Sequence, residues 1–322
     1  MSLRRTRGTV PAGTRVLVTG AAGGFGAPTV ARLREQGARV VGLDRRAGGD
    51  DPTGLLACDI TDPQSVERTV AEAVRTLGGL DAVVHYAGIG IPNDAGGPLE
   101  PDALKVIDTN LLGAWRVTAA ALPALLDGPG TGRVVFVASE LAYVTLPFLS
   151  AYSVAKRGMS AYADALRLEY GTAVDGTGLH VTTVYPGYVR TPIHKAGAEV
   201  GLSLEGQVRR EEVEDVVRTV VGAIAAPRPP RDTAGTLAGQ SELWVARHAP
   251  GLLGRGVVRR IRQQAAAGRF DSSPVAAGLV RRFTGRAVPA AVPAAVPAAV
   301  PAAVPAAVPA PTTDPAHERS AS

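Results

Sequence analysis

Residues 15–28 read RVLVTGAAGGFGAP, in which a short apolar run leads into a glycine-rich turn. The run is almost continuously apolar, which predicts a strand that is buried on both faces. Gly20, Gly24 and Gly26 follow where a strand passes into a helix, so the backbone can approach a pyrophosphate and helix N–H groups can point at it. A purely structural tight turn has the same pattern, so the neighbouring sequence must decide between the two interpretations.

Further apolar runs follow this turn and alternate with longer segments of helical periodicity. Such alternation predicts an α/β fold, with a single doubly wound parallel sheet of about seven strands and helices on both faces. The predicted strands are residues 15–19, 39–44, 55–59, 80–86, 133–139, 180–186 and 242–246.

Three long helices are predicted between these strands. Asp62 supplies an N-cap and Pro63 a first helical residue for the first of them. The second covers residues 102–126, where Pro123 should end or kink it late. The third covers residues 150–171.

Composition bounds the domain organisation and the compartment. The 322 residues are 46% apolar and 20% charged, which is enough for a large core in a globular protein. Cys58 is the single cysteine, so no intramolecular disulfide can form and a reducing compartment is expected. No signal-like apolar stretch follows the basic N-terminus. We therefore predict a cytoplasmic protein with a flexible leader over residues 1–12 and one main domain over residues 13–250.

Residues 251–286 form a basic extension, with eight arginines and one aspartate in a chain whose net charge is +5. Apolar side chains recur there at helical spacing, opposite Arg259 and Arg262; they are Leu252, Leu253, Val257, Val258 and Ile261. Three interpretations stay open: a helix packed on the domain or on a neighbouring subunit, a contact with an anionic membrane surface or an aid to apolar substrate delivery, and a disordered segment. Nucleic acid is not favoured as a partner, since no recognition motif appears.

Residues 287–322 form the tail, which begins with repeats of AVPA. A proline at every fourth residue prevents the long helix that a membrane span requires. We predict a disordered tail of polyproline-II character.

Asp44 ends the second predicted strand, 18 residues after Gly26. A carboxylate there accepts hydrogen bonds from the hydroxyls of an adenosine ribose and repels a 2′-phosphate, which favours NAD over NADP. Arg45 and Arg46 follow directly and could instead bind that phosphate, so NADP stays open.

The motif YSVAK at residues 152–156 places Tyr152 and Lys156 four residues apart, on one face of the third helix. A phenol, with an ordinary pKa of about 10, must lose its proton near neutral pH to act as a base. A neighbouring ammonium and a positive nicotinamide ring would lower that pKa. The pair therefore predicts a tyrosine that exchanges a proton with a substrate oxygen.

Together these motifs resemble the short-chain dehydrogenase/reductase family, in its TGxxxGxG branch. The matching stretches follow the family's order within residues 14–250; they are TGAAGGFG (19–26), CDITD (58–62), TNLLG (109–113), VAS (137–139), YSVAK (152–156) and PGYVRTP (186–192). The resemblance implies a Rossmann-like fold, an NAD(P)-dependent oxidoreductase with its dinucleotide-binding catalytic domain at residues 13–250, and a homodimer or homotetramer.

The resemblance also implies a catalytic set of Asn110, Ser139, Tyr152 and Lys156. Tyr152 would exchange the proton, and Ser139 would fix the substrate carbonyl. Lys156 would assist the tyrosine and bind the nicotinamide ribose. Asn110 would hold the water through which Lys156 is re-protonated.

A set of cofactor-binding residues is implied as well. Asp59 would contact the adenine ring, and Thr191 the nicotinamide amide. The full set is Gly20, Gly24, Phe25, Gly26, Asp44, Arg45, Asp59, Ile60, Ala87, Gly88, Tyr152, Lys156, Pro186, Gly187, Val189 and Thr191.

One stretch departs from the family's pattern. Where the family usually has Asn-Asn-Ala-Gly or Asn-Ala-Ala-Gly, this chain has HYAG at residues 85–88. His85 is interpreted as a structural substitute for the asparagine, with an altered cofactor pocket and a catalytic histidine as alternatives. The other histidines lack metal-ligand spacing, so no metal site is predicted.

Residues 186–207 form a long connection that should close over the substrate. Apolar side chains expected near the pocket predict a fairly hydrophobic secondary alcohol or ketone; they are Leu141, Tyr143, Phe148, Tyr188 and Ile193. Two other functions stay open. One is an NAD(P)-binding sensor or scaffold without turnover, and the other is an isomerase or dehydratase with the same tyrosine and lysine.

Overall fold

The computed structural model describes residues 8–47, 54–128, 130–171, 177–200, 202 and 210–286. The predicted tail over residues 287–322 lies outside the described residues, as do the first seven residues of the predicted leader. Val10, in contrast, is buried, and its N–H donates to Oε1 of Gln36 over 2.9 Å. The prediction of a flexible leader is therefore wrong for Val10 and its neighbours from residue 8, because a buried valine ties them to the core.

Seven parallel strands form the sheet: β1 Arg15–Thr19, β2 Arg39–Asp44, β3 Leu55–Ala57, β4 Ala82–His85, β5 Gly132–Val137, β6 Leu179–Val184 and β7 Asp232–Thr233. Their order across the sheet is β3-β2-β1-β4-β5-β6-β7. The order reverses between β1 and β4, which are hydrogen-bonded neighbours. This is the doubly wound topology that the sequence predicts, and it opens a crevice at the carboxyl ends of β1 and β4.

The seventh strand is not the predicted run at residues 242–246, which lies inside a helix, Leu237–His248. Thr236 caps this helix by accepting a hydrogen bond from the N–H of Gly239 over 3.1 Å. Leu243 and Ala246 are buried three residues apart, while Trp244 between them is exposed. The buried residues thus have helical spacing. A run of five residues is too short for its apolar pattern to distinguish a helix from a strand.

Helices connect the strands and cover both faces of the sheet. They are α1 Gly26–Glu35, α2 Pro63–Leu77, α3 Pro101–Ile107, α4 Gly113–Leu126, α5 Ser150–Tyr170, α6 Lys195–Glu199, α7 Val213–Ala225, α8 Leu237–His248, α9 Pro250–Ala266 and α10 Ala277–Thr284. Val16 and Val18 of β1 pack on the side of α1 and α7, and Leu17 packs on the side of α2, α4 and α5. This alternation explains why the strand is apolar at successive positions.

The predicted helix ends are mostly confirmed. Asp62 accepts a hydrogen bond from the N–H of Gln64 over 3.0 Å and caps α2. Pro123 lies inside α4, which ends three residues later at Leu126. The structure adds a π-helical turn at Asp108–Leu112, between α3 and α4, that the sequence did not reveal. Such turns often mark functional positions, and this one contains Asn110.

In the basic extension, α9 and α10 are joined by turns over residues 267–272 and a short 3₁₀ turn at Pro274–Ala276. Ile261, Phe270 and Val280 are buried together and pack against Phe148 of the main domain. The inner side of the extension thus packs on the domain, as in the first of the three interpretations, while its arginines stay exposed. Among the described residues, no helix is both long enough and apolar enough to cross a bilayer.

Candidate active site

The loops that follow β1, β4, β5 and β6 meet at the carboxyl edge of the sheet, where open α/β sheets bind their ligands. These loops begin at Gly20, Tyr86, Ala138 and Tyr185. Helix α5 starts at the same edge and contributes Tyr152 to it. Parallel strands therefore bring together side chains that are far apart in the sequence.

The glycine-rich turn after β1 closely approaches the loop after β4. Gly20 has a φ of +66°, and a Cβ there would lie 2.7 Å from the backbone nitrogen of Ala87. A Cβ on Gly26, the first residue of α1, would lie 2.1 Å from the carbonyl oxygen of Gly20. Helix α1 has no side-chain cap at its N-terminus. The turn thus has the close backbone contact and the uncapped helix end that suit a bound pyrophosphate.

Gly24 and Phe25 border the loop after β6. A Cβ on Gly24 would lie 3.0 Å from Cγ2 of Thr191. The ring of Phe25 lies 5.9 Å from the ring of Tyr86 and lines the pocket described below. The structure therefore places residues predicted to bind the pyrophosphate beside the residue predicted to bind the nicotinamide amide.

Asp44 ends β2 next to the glycine-rich turn, as its predicted role requires. Its Oδ2 accepts a hydrogen bond from the N–H of Ala22 over 3.0 Å. Arg46 pairs with Oδ1 over 3.3 Å and also donates to the carbonyl oxygen of Ala22 over 2.9 Å. Arg45, the arginine that the sequence assigned to the site, is exposed and makes neither contact. Of the two arginines that the sequence offers for binding a 2′-phosphate, Arg46 is thus the one that contacts Asp44.

Asp59 and Ile60 follow β3 and have different surroundings. The backbone N–H of Thr61 donates to Asp59 over 2.9 Å and its hydroxyl over 2.7 Å. These hydrogen bonds lower the pKa of Asp59, and the charge of Arg45 contributes to the shift. Ile60 is buried, and its side chain packs against Gly113 of α4. The side chain of Ile60 is therefore turned toward α4.

Asn110 is fully buried and clamps the loop after β4. Its Oδ1 accepts from the N–H of Ile89 over 2.7 Å, and its Nδ2 donates to the carbonyl oxygen of Ile89 over 2.8 Å. A Cβ on Gly88 would lie 2.8 Å from Oδ1 of Asn110 and 3.8 Å from Nζ of Lys156. Gly88 thus lies between the two side chains, and a larger residue could not take its place.

Ser139 and Tyr152 face each other across the carboxyl end of β5. Ser139 is buried and caps a 3₁₀ turn at Glu140–Ala142, accepting a hydrogen bond from the N–H of Leu141 over 3.2 Å. Both residues line one pocket, and a hydrogen bond with Ser139 partly opposes the rise in the pKa of Tyr152. The predicted pair therefore lies in the wall of one cavity.

Lys156 is buried, and its Nζ donates to the carbonyl oxygen of Val137 over 2.8 Å. The same nitrogen lies 5.7 Å from the centre of the Tyr152 ring. Burial lowers the pKa of Lys156 to about 8. The ammonium is thus close to losing its proton at physiological pH.

The pKa of Tyr152 is raised to about 12, because burial outweighs the opposing hydrogen bond with Ser139. The sequence predicts a lowered pKa from the ammonium of Lys156 together with a positive nicotinamide ring. That expectation also includes the charge of the nicotinamide, so the shift caused by the protein alone does not test it; burial is the largest cause of this shift. The protein alone therefore favours the protonated phenol.

His85 is fully buried, and its ring stacks on Phe136 with centroids 4.8 Å apart. Thr118 donates its hydroxyl proton to the carbonyl oxygen of Ala114 over 2.8 Å, so it must accept from Nε2 of His85 over 2.9 Å. Nδ1 then carries a lone pair that has no partner in the described part of the chain. Burial, aided by the charge of Lys156, lowers the pKa of His85 to about 3. The imidazole is neutral, as a structural role requires.

A largely apolar pocket opens beside Ser139 and Tyr152. Leu141 and Phe148 come from the loop after β5, Tyr188 and Ile193 from the loop after β6, and Ile261 and Phe270 from the extension. Four of the five expected pocket residues are thus present. Tyr143 is not, because its ring lies between the guanidinium groups of Arg157 and Arg247, at 4.3 and 4.8 Å.

The loop after β6 is held by a residue that the sequence did not single out. The N–H of Gly187 donates to Oε2 of the buried Glu211 over 3.1 Å. The carbonyl oxygen of Pro186 accepts from the N–H of Glu140 over 3.0 Å, and Val189 is buried. The predicted lid continues into α6, and its residues 201 and 203–207 lie outside the described residues.

A polar network behind Ser139 was also missed, since its members are distant in sequence. Arg247 of α8 pairs with Asp232 over 3.0 Å and donates to the hydroxyl of Tyr143 over 2.8 Å. The hydroxyl of Tyr185 donates to Asp232 over 3.0 Å, and its oxygen lies 3.2 Å from Oγ of Ser160 on α5. The network joins β7, α8 and the Ser139 turn to the helix that carries Tyr152.

The residues of the cleft fit a nicotinamide dinucleotide. The uncapped N-terminus of α1 suits its phosphates, Asp44 suits an adenosine ribose, and the ammonium of Lys156 can donate to a second ribose. No group of three potential metal ligands occurs within the described ranges.

Comparison with known proteins finds relatives of this chain. The sequence family described as short chain dehydrogenase matches residues 14–199. A glucose 1-dehydrogenase of Gluconobacter oxydans is 30% identical over 197 residues, which cover 57% of this chain and 72% of that protein. A 1-deoxy-11-beta-hydroxypentalenate dehydrogenase of Streptomyces avermitilis is 32% identical over 225 residues, which cover 64% of this chain and 80% of that protein.

Solved structures show the same fold. A short chain dehydrogenase of Burkholderia cenocepacia in complex with NADP matches with a TM-score of 0.63 at 22% identity, covering 76% of this chain and 98% of that one. At this identity the likeness shows the arrangement of strands and helices.

Proposed function

Since this chain belongs to the short-chain dehydrogenase/reductase family, we propose that it interconverts a fairly hydrophobic secondary alcohol and its ketone. It is an NAD(P)-dependent oxidoreductase, and the nicotinamide, when bound, supplies the acceptor or donor of hydride. The observation that carries the proposal is the position of Ser139 and Tyr152, which lie together in the wall of a largely apolar pocket.

Tyr152 exchanges a proton with the substrate oxygen, while Ser139 donates a hydrogen bond that fixes this oxygen. A phenol with a pKa of about 12 holds its proton at neutral pH and is ready to donate it to a ketone. Oxidation of the alcohol requires the phenolate, which positive charge beside the ring stabilises. The ammonium of Lys156, 5.7 Å from the ring centre, supplies part of that charge.

Asn110 and Lys156 are proposed to pass the proton onward. The amide oxygen of Asn110 and the ammonium of Lys156 both border Gly88, where the lack of a side chain leaves their approach open. A water held by Asn110 would reach Lys156, whose pKa of about 8 suits proton exchange near neutral pH.

NAD is the proposed cofactor, with NADP as the alternative. Asp44 offers a carboxylate at the end of β2, where a 2′-phosphate would be repelled. Arg46 already neutralises part of that charge and could turn toward a phosphate. The NADP complex of the similar Burkholderia protein supports keeping this alternative.

The apolar pocket supports the substrate class. The two relatives named above act on glucose and on a hydroxypentalenate, so their names alone do not choose between a sugar and an apolar substrate. Leu141, Phe148, Ile261 and Phe270 favour the apolar one, because a sugar would leave its hydroxyls without hydrogen-bond partners against them.

We also propose a homodimer or homotetramer. Trp115 of α4 and Val154 of α5 are 49% and 58% exposed, and Leu168 of α5 is more exposed still. Large exposed apolar side chains on neighbouring helices are suited to pairing with a second copy of the chain. Light scattering of the purified protein measures the assembly.

We also propose that the protein is located in the cytoplasm. Cys58 is the single cysteine, and burial raises the pKa of its thiol. A buried, protonated thiol neither forms disulfides nor reacts readily, so it makes no demand for an oxidising compartment.

The decisive experiment is titration of the chain with NADH and NADPH, followed by a panel of ketones, secondary alcohols and sugars. The Tyr152→Phe variant should lose at least about 1000-fold in kcat while its cofactor affinity is retained. Tyr170→Phe, also on α5, is the matched control and should keep wild-type turnover.

Two results would contradict the proposal. Cofactor binding without turnover across the panel would favour the sensor or scaffold, and turnover of sugars alone would exclude the apolar substrate class. An isomerase or dehydratase would convert substrate without net change in the amount of reduced cofactor.

A further inference from the structure

Helix α9 presents a row of arginines on its outer face. Arg255, Arg259 and Arg262 recur at spacings of three and four residues, and all three are exposed. Together with Val258, which is 45% exposed, they border one shallow groove along the helix. The outer face therefore combines guanidinium groups with an aliphatic side chain.

The inner face of the same helix packs over the pocket. Ile261 and Ala265 are buried, and they contact the cluster around Phe148 and Phe270. Ile261 also lines the pocket that contains Tyr152. One helix thus separates the apolar pocket from the arginine-rich surface.

The charge of this region is not balanced from within. Residues 251–286 contain eight arginines and a single carboxylate, Asp271, which pairs with Arg286 over 2.9 Å. Each of the eight arginines is exposed. Such a surface attracts a partner with a high density of negative charge.

We propose that the outer face of α9 binds an anionic lipid surface, so that the enzyme docks on membranes without spanning them. A helix with arginines and an aliphatic side chain on its exposed face is suited to the headgroup layer of anionic lipids. Nucleic acid fits less well, because base stacking needs exposed aromatic rings, and Phe270 is buried while Phe283 lies under Arg262. The proposal concerns binding, so it stands independently of the substrate.

The test measures co-sedimentation of the full chain with lipid vesicles. Vesicles of phosphatidylcholine alone are compared with vesicles containing about 30 mol % phosphatidylglycerol, at ionic strengths from about 0.05 to 0.5 M. We expect binding to the anionic vesicles only, and its loss at high salt, because exposed charges are screened there.

Two triple variants with the same net charge separate a specific face from general basicity. Arg255→Gln, Arg259→Gln and Arg262→Gln remove three charges from α9. Arg68→Gln, Arg75→Gln and Arg228→Gln remove three exposed charges from other parts of the chain. At about 1 kcal/mol for each arginine near the surface, the α9 variant should bind roughly 100-fold more weakly, and the control should bind like wild type.

A third variant keeps the three positive charges and replaces the guanidinium groups with ammonium groups. Arg255→Lys, Arg259→Lys and Arg262→Lys should retain most of the vesicle binding, which shows that loss in the glutamine variant is not a folding defect. Equal loss in the α9 variant and the control would overturn the proposal, as would equal binding to neutral vesicles. Binding of a single-stranded oligonucleotide in place of vesicles, with the same dependence on α9, would assign the surface to nucleic acid and overturn it too.

Discussion

The ammonium of Lys156 lies 5.7 Å from the centre of the Tyr152 ring and donates to the carbonyl oxygen of Val137, not to the phenol. Both groups are buried, and burial moves the two pKa values apart, from 10.0 to about 12 for Tyr152 and from 10.5 to about 8 for Lys156. Each residue is thereby biased toward its neutral form. At neutral pH the phenol of Tyr152 is therefore protonated, and Lys156 titrates close to physiological pH.

Replacing Lys156 with methionine should stabilise the fold while abolishing turnover. The folded pKa of about 8 lies below the ordinary value of 10.5, so folding disfavours the charged amine at pH 7. Removing that charge should raise the free energy of unfolding by about 2 kcal/mol, net of the lost hydrogen bond to Val137. Denaturant titration at pH 7 measures the change.

The lowered pKa of Lys156 also predicts how the stability difference between Lys156→Met and the wild type changes with pH. Between about pH 8 and 10.5 the unfolded chain binds the lysine proton more tightly than the folded one, so wild-type stability gains on the variant as pH rises. The advantage of Lys156→Met should shrink across that window. Lys105→Met, at an exposed position, is the control and should change stability by less than about 0.5 kcal/mol. A destabilised Lys156→Met at pH 7 would contradict the argument.

His85→Asn should restore the residue usual in the family and keep turnover. The variant loses the stack on Phe136 and leaves a cavity, so the free energy of unfolding at pH 7 should fall by about 2 kcal/mol. Loss of turnover with intact cofactor binding would instead make the histidine catalytic.

Acid should destabilise the wild type more than His85→Asn. The pKa of His85 is about 3 in the folded chain against an ordinary 6.5, so below pH 6.5 the unfolded chain takes up a proton that the folded chain refuses. The contribution is about 1.4 kcal/mol for each pH unit in that range. NMR of the imidazole nitrogens should show a neutral Nε2–H tautomer from pH 5 to 8, and a titration near pH 6.5 would refute the burial argument.

Asp44→Asn should shift the cofactor preference toward NADP. The substitution removes the charge that would repel a 2′-phosphate and frees Arg46 to bind it. We expect the ratio of kcat/KM for NADP to that for NAD to rise by at least about 10-fold. Asp102→Asn, on the exposed side of α3, should leave the ratio unchanged. A wild-type enzyme that already prefers NADP would reverse our assignment of Asp44.

Arg247→Gln tests the network behind Ser139. The variant breaks the ion pair with Asp232 and the hydrogen bond to Tyr143, so stability should fall by about 2 kcal/mol. If the network also positions Ser139, kcat should fall about 10-fold with KM little changed, and Arg247→Lys should rescue only part of it. Arg228→Gln serves as the exposed control. Unchanged kcat in a destabilised Arg247→Gln would restrict the network to a structural role.

Local sequence patterns predicted most of the fold, and the resemblance of the motifs to a known family supplied the candidate site residues. The periodicity of apolar residues and the spacing of glycines are properties of residues that are close in the sequence. The first six strands were therefore predicted to within two residues at either end. The four-residue spacing of Tyr152 and Lys156 belongs to the same class, because a helix alone puts both side chains on one face.

Tertiary structure alone decided what depends on distant partners. The seventh strand is Asp232–Thr233, which pairs with the edge of the sheet at β6. The run at residues 242–246 has a more strand-like sequence, but it is helical because Leu243 and Ala246 are buried on one face of α8. Likewise, Arg46 rather than Arg45 reaches Asp44. The raised pKa of Tyr152 and the pocket wall at Ile261 also arise from burial by segments far away in sequence. Burial and charge pairing are properties of the assembled core, so the periodicity of the local sequence cannot predict them.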